Sequence, residues 1–474
     1  MTVNDWVVGT QWFFLLYFIC INMGYVMLNL LSMGSIKRYV EAHSLDDIPR
    51  GISGFEIPVS VLVPAYNEQE TIASSVRSML QLDYPDYEVI VINDGSKDGT
   101  MDALRREFEL EPFPEAYWQR LPVKPVHAIY RSRKYPMLRV IDKENGGKAD
   151  ALNAGINASR CPLFCGVDAD SILERVSLRR VVEPFLVDPR TIASGGTVRV
   201  ANGCTVDSGF LTSVGLPRNP LALLQIVEYL RAFLFGRLGW SPINAVLIIS
   251  GAFGVFSKDV VIKAGGYRTD TIGEDMELIV RLHRLHRTDN IPYRIVFVPD
   301  PVCWTEAPET LRVLKNQRIR WQRGLAESLS LNIGLLFHPR GGAVGWLAFP
   351  FMAIFELLGP LIEVAGYVLM ILAFFAGLVS QEAFITFIVV AFGFGLVLSV
   401  SSLLLEEISF HIYPKPRQMF VLLLFVVLEN LGYRQINSAW RLWGLLLWMF
   451  RSKARWGEMT RGASWQTGSG GSTH

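Results

Sequence analysis

Leu163-Phe164-Cys165-Gly166-Val167-Asp168-Ala169-Asp170 sets five small or apolar residues directly before two acids. A short uninterrupted apolar run predicts a strand buried on both faces, as in a parallel sheet. The acids then fall where the strand ends. Two upstream stretches repeat the design. Val59–Val63 leads into Pro64-Ala65-Tyr66-Asn67-Glu68, and Glu88–Ile92 leads into the turn Asn93-Asp94-Gly95-Ser96. Asn67-Glu68-Gln69-Glu70 reads as a capping box opening a helix through Leu80, and a second helix is expected after the Asp94 turn. Strands separated by helices predict a parallel α/β sheet, whose ligands bind at the carboxyl ends of the strands. The acids sit where that rule puts a site.

Outside this region the composition changes. Half of the 474 residues are hydrophobic and 19% are charged, against about 25% charged in soluble domains. Trp6–Ile36 carries no charge, and within it Trp12–Leu31 matches the roughly 20 residues that span a bilayer. A cleaved signal peptide would need a basic leader and a small-residue cleavage site, and the sequence has neither there. Lys37 and Arg38 follow at once, so the next segment is expected in the cytoplasm. Beyond Ala343 the chain turns apolar again. Val344–Leu378 is interrupted by Glu356, Pro360 and Glu363, and Ala383–Leu405 is uncharged. Phe420–Leu428 and Leu442–Phe450, separated by Glu429, Arg434 and Arg441, read as two tilted spans or a re-entrant hairpin. The basic stretch Arg451–Arg455 argues for a cytoplasmic end, which five crossings, or three plus a re-entrant pair, would satisfy. Glu356 and Glu363 are seven apart on one expected helix and would share a face. Carboxylates inside a membrane point to function or to bonds with polar neighbours.

Several classes are excluded or disfavoured. A net charge of +1 gives no reason to expect nucleic acid. The five cysteines are an odd number without a CxxC pair, so Cys161 and Cys165 read as small core residues rather than a disulfide. No HExxH is present. His283 and His286 fall in an Arg-rich helical stretch and read as a solvated face rather than a metal site.

The chemistry-bearing pieces each have an ordinary alternative. Asp168-x-Asp170 offers two oxygen ligands for Mg²⁺ or Mn²⁺, though short acidic pairs are common. Asp94 can accept hydrogen bonds from a base or ribose, or simply make an Asx-turn. Gly146-Gly147-Lys148 opens a helix with a cation suited to phosphate oxygens, or is a plain glycine turn. Glu274-Asp275 brings carboxylates to a helix start, which the helix dipole alone would favour. Gln317, Arg320 and Trp321 share a helix face that offers an amide, a guanidinium and a flat ring. A membrane-surface helix with snorkelling arginines would read the same way. Pro220–Leu238, with Glu228 and Arg231 among apolar residues, is either a surface-lying or a core-facing helix.

Taken in order, Asp94, Gly146-Gly147-Lys148, Asp168-x-Asp170, Ser250-Gly251-Ala252-Phe253-Gly254, Glu274-Asp275 and Gln317-x-x-Arg320-Trp321 closely resemble the membrane-integrated family 2 glycosyltransferases. That branch includes the cellulose, chitin, hyaluronan and poly-N-acetylglucosamine synthases. The resemblance runs from Val59 to Trp456–Arg461. It implies a GT-A (Rossmann-like) α/β domain inserted between an N-terminal transmembrane helix and a C-terminal α-helical membrane bundle. The divisions expected are an anchor and linker at 1–50, a catalytic domain at 51–342, a transmembrane region at 343–451 and a tail at 452–474. By the same resemblance Asp275 is the catalytic base. Glu68, Asp94, Lys148, Asp168, Gln317 and Arg320 bind the donor. Phe253, Glu274 and Trp321 face the acceptor, and Asp168 with Asp170 holds Mg²⁺ or Mn²⁺. Trp456 to Arg461 resembles a gating segment over the donor site, or is an interfacial tail. Many members carry Thr before Glu-Asp; here it is Gly273.

The implied activity is inverting transfer from a nucleotide sugar, a UDP-hexose or UDP-N-acetylhexosamine, to a growing β-linked polysaccharide. The enzyme would be processive and coupled to export across the cell's inner (plasma) membrane, with a cytoplasmic catalytic domain. The partners implied are that donor, a glycan or lipid-linked acceptor, the lipid bilayer, and export or regulatory subunits. A single-sugar glycolipid synthase with the same Gln-x-x-Arg-Trp motif is the alternative. A non-catalytic receptor or regulatory subunit is the more distant one.

Overall fold

The computed structural model describes residues 3–43, 56–207, 210–413 and 415–451. The apolar runs form the strands expected of them. β1 (Val59–Ala65) and β2 (Tyr87–Asp94) pair in parallel, Val61 opposite Val89. β3 (Leu110–Pro112), β4 (Val126–Ser132) and β5 (Leu138–Lys143) follow, then β6 (Leu163–Val167), β7 (Ile172–Leu173) and β8 (Thr191–Val200). β9 (Thr205–Asp207) and β10 (Phe210–Ser213) make a separate hairpin, and β11 (Phe253–Ser257) and β12 (Arg294–Thr305) complete the main sheet. Its order is β3-β4-β5-β2-β1-β6-β11-β8-β12-β7.

Side chains on β1 and β2 divide between the two faces with the period of two that a strand imposes. Leu62, Ile90 and Ile92 join one buried cluster with Leu152 and Ile156 of the helix Lys148–Ala158. Val61, Val63, Val89 and Val91 join another with Ile72, Val76, Leu104 and Phe108. Helices on both faces explain why both strands are buried along their length.

The sheet is mixed, where the sequence led us to expect a parallel one. β5, β2, β1 and β6 run parallel, but β11 lies antiparallel between β6 and β8. The reversal matters for the site. It pairs Phe253 with Val167, and so brings the residues leading into β11 alongside the acids that follow β6. The first helix also departs from expectation, starting at Ile72 with no capping box. The Asn67 side chain expected to cap it is used across the loop, its Oδ1 accepting from Lys97 N, and the neighbouring Gln69 Oε1 accepts from Gly99 N, both at 2.9 Å. His283 is fully buried rather than on a solvated face, between the Tyr293 hydroxyl at 2.6 Å and the Val246 carbonyl at 2.8 Å. Cys161 and Cys165 are buried free thiols, as expected.

Among the described residues three helices are long and apolar enough to cross a membrane: Val8–Tyr39, Gln381–Phe410 and Pro416–Met449. Val344–Leu357 and Gly359–Phe375 make a fourth if they count as one span, bent by 43° at Leu358. That bend separates Glu356 from Glu363, which therefore do not share one straight helix. The two short C-terminal runs join into one long helical stretch with a break at Leu431 and Gly432, where Gly432 takes φ 113°. Pro220–Tyr229 is capped by Asn219 and packs its Leu223, Ile226 and Val227 against Leu403, Leu422 and Val426 of the apolar helices. Trp456 to Arg461 lies outside the described residues.

Candidate active site

β6 delivers Asp168 and Asp170 to the carboxyl edge of the sheet, in a turn closed by Ser171 N to the Asp168 carbonyl at 3.0 Å. Because β11 runs antiparallel, Ser250-Gly251-Ala252 lies beside this turn, and Asp168 N donates to the Ala252 carbonyl at 3.4 Å. The helix Lys148–Ala158 starts on the same edge, after Gly147 at φ 88°, a left-handed turn that favours glycine. Lys148 Nζ then sits 2.5 Å from Asp168 Oδ1, 3.1 Å from the Gly251 carbonyl and 3.8 Å from Glu274.

Asp275 lies in the first turn of the helix Glu274–Thr288. Its Oδ2 accepts from Gly251 N at 3.0 Å and its Oδ1 from Met276 N at 2.8 Å. Two backbone donors thus fix the plane of the carboxylate and leave further lone pairs on both oxygens. Burial, partly offset by Lys148 and reinforced by Asp275, pushes the Glu274 carboxyl up to about 7. Burial opposes the charge on Lys148, but Asp168 first and Glu274 next outweigh it and hold the ammonium above the usual lysine value.

The helix Leu311–Leu331 brings Gln317, Arg320 and Trp321 to the same place. Trp321 is 40% exposed and lines the same cavity as the acids, with the Tyr229 ring 6.5 Å away. The guanidinium of Arg318 lies 4.3 Å from the Trp321 centroid, and Arg318 is itself held by Glu228 at 2.7 Å. The Oε1 of Gln317 is buried without a hydrogen-bond partner among the described residues.

One cavity of about 760 Å³ unites Lys148, Asp168, Asp170, Glu274 and Asp275 with Gln317, Arg320 and Trp321. Three of the expected residues that the structure describes are not in its lining. Phe253 is wholly buried within the sheet, so the acceptor contact expected of it is corrected: Ser250 and Gly251, just before it, reach the cavity. Asp94 is buried, its carboxylate taken by Lys143 at 2.6 Å and by Gly146 and Gly147 N–H at 3.1 and 2.7 Å. It shapes the glycine turn that presents Lys148. Glu68 is half-buried and accepts from the Thr71 hydroxyl at 2.8 Å.

The cavity also continues among the apolar helices, past Glu228, Arg231, Glu356, Glu363, Arg434 and Arg441. These charges are paired: Arg231 with Glu429 at 2.7 Å, Arg434 with Glu363 at 3.5 Å and Arg441 with Glu356 at 2.8 Å. In the sequence Arg434 and Arg441 looked like breaks between spans. Arg237, also in the lining, was not anticipated; burial lowers it to about 9, against the pull of Asp275.

Asp168 and Asp170 present the hard oxygen donors that Mg²⁺ or Mn²⁺ takes. Among the described residues no third His, Cys, Asp or Glu forms a metal-binding group with them. Such a donor set fits an ion that completes its shell with substrate phosphates and water, as Mg²⁺ usually does.

The glycosyl transferase family 2 profile matches residues 60–212, and that of glycosyl transferase family group 2 matches residues 165–401, half of the chain. The chain belongs to the family 2 glycosyltransferases. A poly-beta-1,6-N-acetyl-D-glucosamine synthase of Staphylococcus epidermidis is 30% identical to it over 272 residues, 57% of this chain and 55% of the relative. The enzyme of the same name from Staphylococcus aureus (strain COL) is 32% identical over 274 residues, with the same coverage. The chain thus spans about half the length of the curated relatives it matches. Among solved structures, the mannosyltransferase PcManGT from Pyrobaculum calidifontis, in complex with GDP-Man and Mn²⁺, superposes with a TM-score of 0.55 over 93% of this chain and 100% of its own, at 20% identity. That likeness shows a shared fold. The site of this family 2 chain therefore combines a sheet-edge acid pair, a carboxylate at a helix start and an exposed ring on a neighbouring helix.

Proposed function

We propose that this family 2 chain is an inverting, metal-dependent glycosyltransferase of a cell inner membrane. It moves a hexose or N-acetylhexosamine from a nucleotide sugar onto a growing β-linked polysaccharide, with residues 51–342 on the cytoplasmic side and residues 343–451 in the bilayer. Processive addition and export are part of this reading.

One observation supports it most. The cavity at Asp275 and Trp321 runs on between apolar helices, and its walls there carry Glu228, Arg231, Glu363, Arg434, Asn437 and Arg441. A hydroxyl-rich chain can exchange hydrogen bonds with such walls. An acyl chain would press hydrocarbon against charged groups, which costs free energy. This favours a polysaccharide over a glycolipid product, and the poly-beta-1,6-N-acetyl-D-glucosamine synthases among the relatives support the same product class.

In this reading Asp275 takes the proton of the acceptor hydroxyl as that oxygen attacks the anomeric carbon. The bond from the anomeric carbon to the diphosphate breaks on the opposite side, its electron pair leaves with the nucleoside diphosphate, and the configuration inverts. Mg²⁺ or Mn²⁺ bound by Asp168 and Asp170 would neutralise charge growing on the leaving group. Lys148 adds a fixed cation beside the same acids. Trp321 offers its face to the acceptor's terminal sugar, and Gln317 and Arg320 donate to the diphosphate.

A donor screen in nanodiscs, with mass spectrometry of the product, tests this. A ladder of sugars is expected. One sugar on a lipid with every donor would overturn the polysaccharide reading in favour of a glycolipid synthase.

A further inference from the structure

The loop that leads into the Asp275 helix is fastened to the helix that carries Trp321. Glu327 Oε2 accepts from Ile272 N at 2.8 Å and from the Thr271 hydroxyl at 2.9 Å. The Ser328 hydroxyl donates to the Gly273 carbonyl at 3.3 Å. Between these bonds the two backbones touch. A Cβ added to Gly273 would lie 2.9 Å from the Gly324 Cα, and one added to Gly324 would lie 3.0 Å from the Gly273 Cα. No side chain fits on either side without moving the loop from the helix.

The contacts also follow the helix period. Gln317, Trp321, Gly324 and Ser328 are spaced by three and four residues along Leu311–Leu331, which puts them on one face. The face that bears the amide and the ring therefore continues straight into the attachment to the loop. Glu274 and Asp275 come immediately after Gly273 in the chain.

We propose that Gly324 and Glu327 are positioning residues that fix how far the Asp275 carboxylate stands from the Trp321 ring, so that base and acceptor platform move as one body. The proposal rests on the reading of Asp275 as base and Trp321 as acceptor platform. The physical need is plain: attacking and attacked atoms must meet at about 3–3.5 Å, and an error of about 1 Å costs about 10²-fold in rate. Asp275 is tied to the donor side separately, through Gly251. Loosening the loop from the helix therefore disturbs the acceptor side in particular. Water needs no platform, so hydrolysis of the donor survives where sugar transfer fails.

The experiment uses the full chain in nanodiscs, with UDP-glucose or UDP-N-acetylglucosamine, whichever the wild type consumes. Transfer, donor hydrolysis and UDP affinity are measured for Gly324→Ala, Glu327→Ala and Glu327→Gln. Gly324→Ala and Glu327→Ala are expected to raise the ratio of hydrolysis to transfer at least about tenfold, within the reach of a sub-ångström displacement, with UDP affinity unchanged. Glu327→Gln keeps an acceptor oxygen and should bring the ratio back toward the wild-type value. Should Gly324→Ala or Glu327→Ala not fold, Thr271→Val, which removes one donor and adds no length, should move the ratio the same way. An unchanged ratio in the folded variants, whether both rates stay or both fall together, overturns the proposal. Failure of the underlying reading looks different: Asp275→Asn would then keep both rates.

Discussion

Gly251 N–H donates to Oδ2 of Asp275 at 3.0 Å, while the Gly251 carbonyl accepts from Lys148. One peptide segment thus ties the Asp275 carboxylate to the cation beside the acid pair. The first prediction follows from that bond. Asp275→Asn keeps the size of the side chain, loses one of its two backbone acceptors and cannot take a proton. Transfer should fall by about 10²–10⁴-fold, the usual worth of a general base, while nucleotide binding persists. Near-normal turnover, followed as nucleotide release, would remove Asp275 from the mechanism.

The acid pair predicts a metal requirement. EDTA should stop transfer, and added Mg²⁺ or Mn²⁺ should restore it. Asp170→Ala should resist rescue by either ion, because the variant loses one of the two oxygen ligands proposed for the metal. Titrating the metal into wild type and variant reads this directly. Full activity in EDTA would contradict the assignment.

The sequence carried much of this site because its pieces lie at element ends. Asp168 and Asp170 follow a strand, so the reading of strands and helices placed them at the edge where ligands bind, while Lys148 and Asp275, at helix starts, joined them only through the resemblance. Phe253 was misplaced for a related reason. Its segment was legible, but the antiparallel direction of β11 decides which residue of the segment reaches the cavity. Asn67 had the composition of a helix cap, yet a loop partner about 30 residues away claimed its side chain. Arg434 and Arg441 read as interruptions in hydropathy, since their partners Glu363 and Glu356 lie far away in the chain and only tertiary packing pairs them. The Gly273–Gly324 contact was visible in the sequence only as a missing Thr.

His283 predicts an acid-labile catalytic domain. Burial lowers its pKa to about 3, against about 6.5 in an unfolded chain. The unfolded state therefore binds a proton that the folded state does not between those values, and stability falls as pH drops from 6.5 toward 3. His283→Gln removes the titrating group, so its melting temperature should depend less on pH from 7.5 to 5.5 than that of the wild type, whatever its absolute value. Equal slopes in thermal melts would assign the acid sensitivity to other groups.

The last prediction concerns chain growth. Trp321 presents a ring that is 40% exposed and lines the cavity shared by the acids and the apolar helices. A flat ring can hold the face of a pyranose without reading each hydroxyl, which suits a site that must accept a chain one sugar longer after each cycle. The ring's own position is secured by the Arg318 guanidinium at 4.3 Å, and Glu228 fixes Arg318 in turn. Truncation of a fully buried Trp costs about 3–5 kcal/mol, and an exposed ring that a sugar covers only in part is worth less. Trp321→Ala should therefore fold, still bind nucleotide, and shorten or abolish the product. Trp321→Phe keeps a smaller ring and should restore part of the length. The measurement is the product length distribution by mass spectrometry at matched donor turnover. If Trp321→Ala makes chains of wild-type length, the ring is not the platform, and the glycan must be held elsewhere along the charged walls.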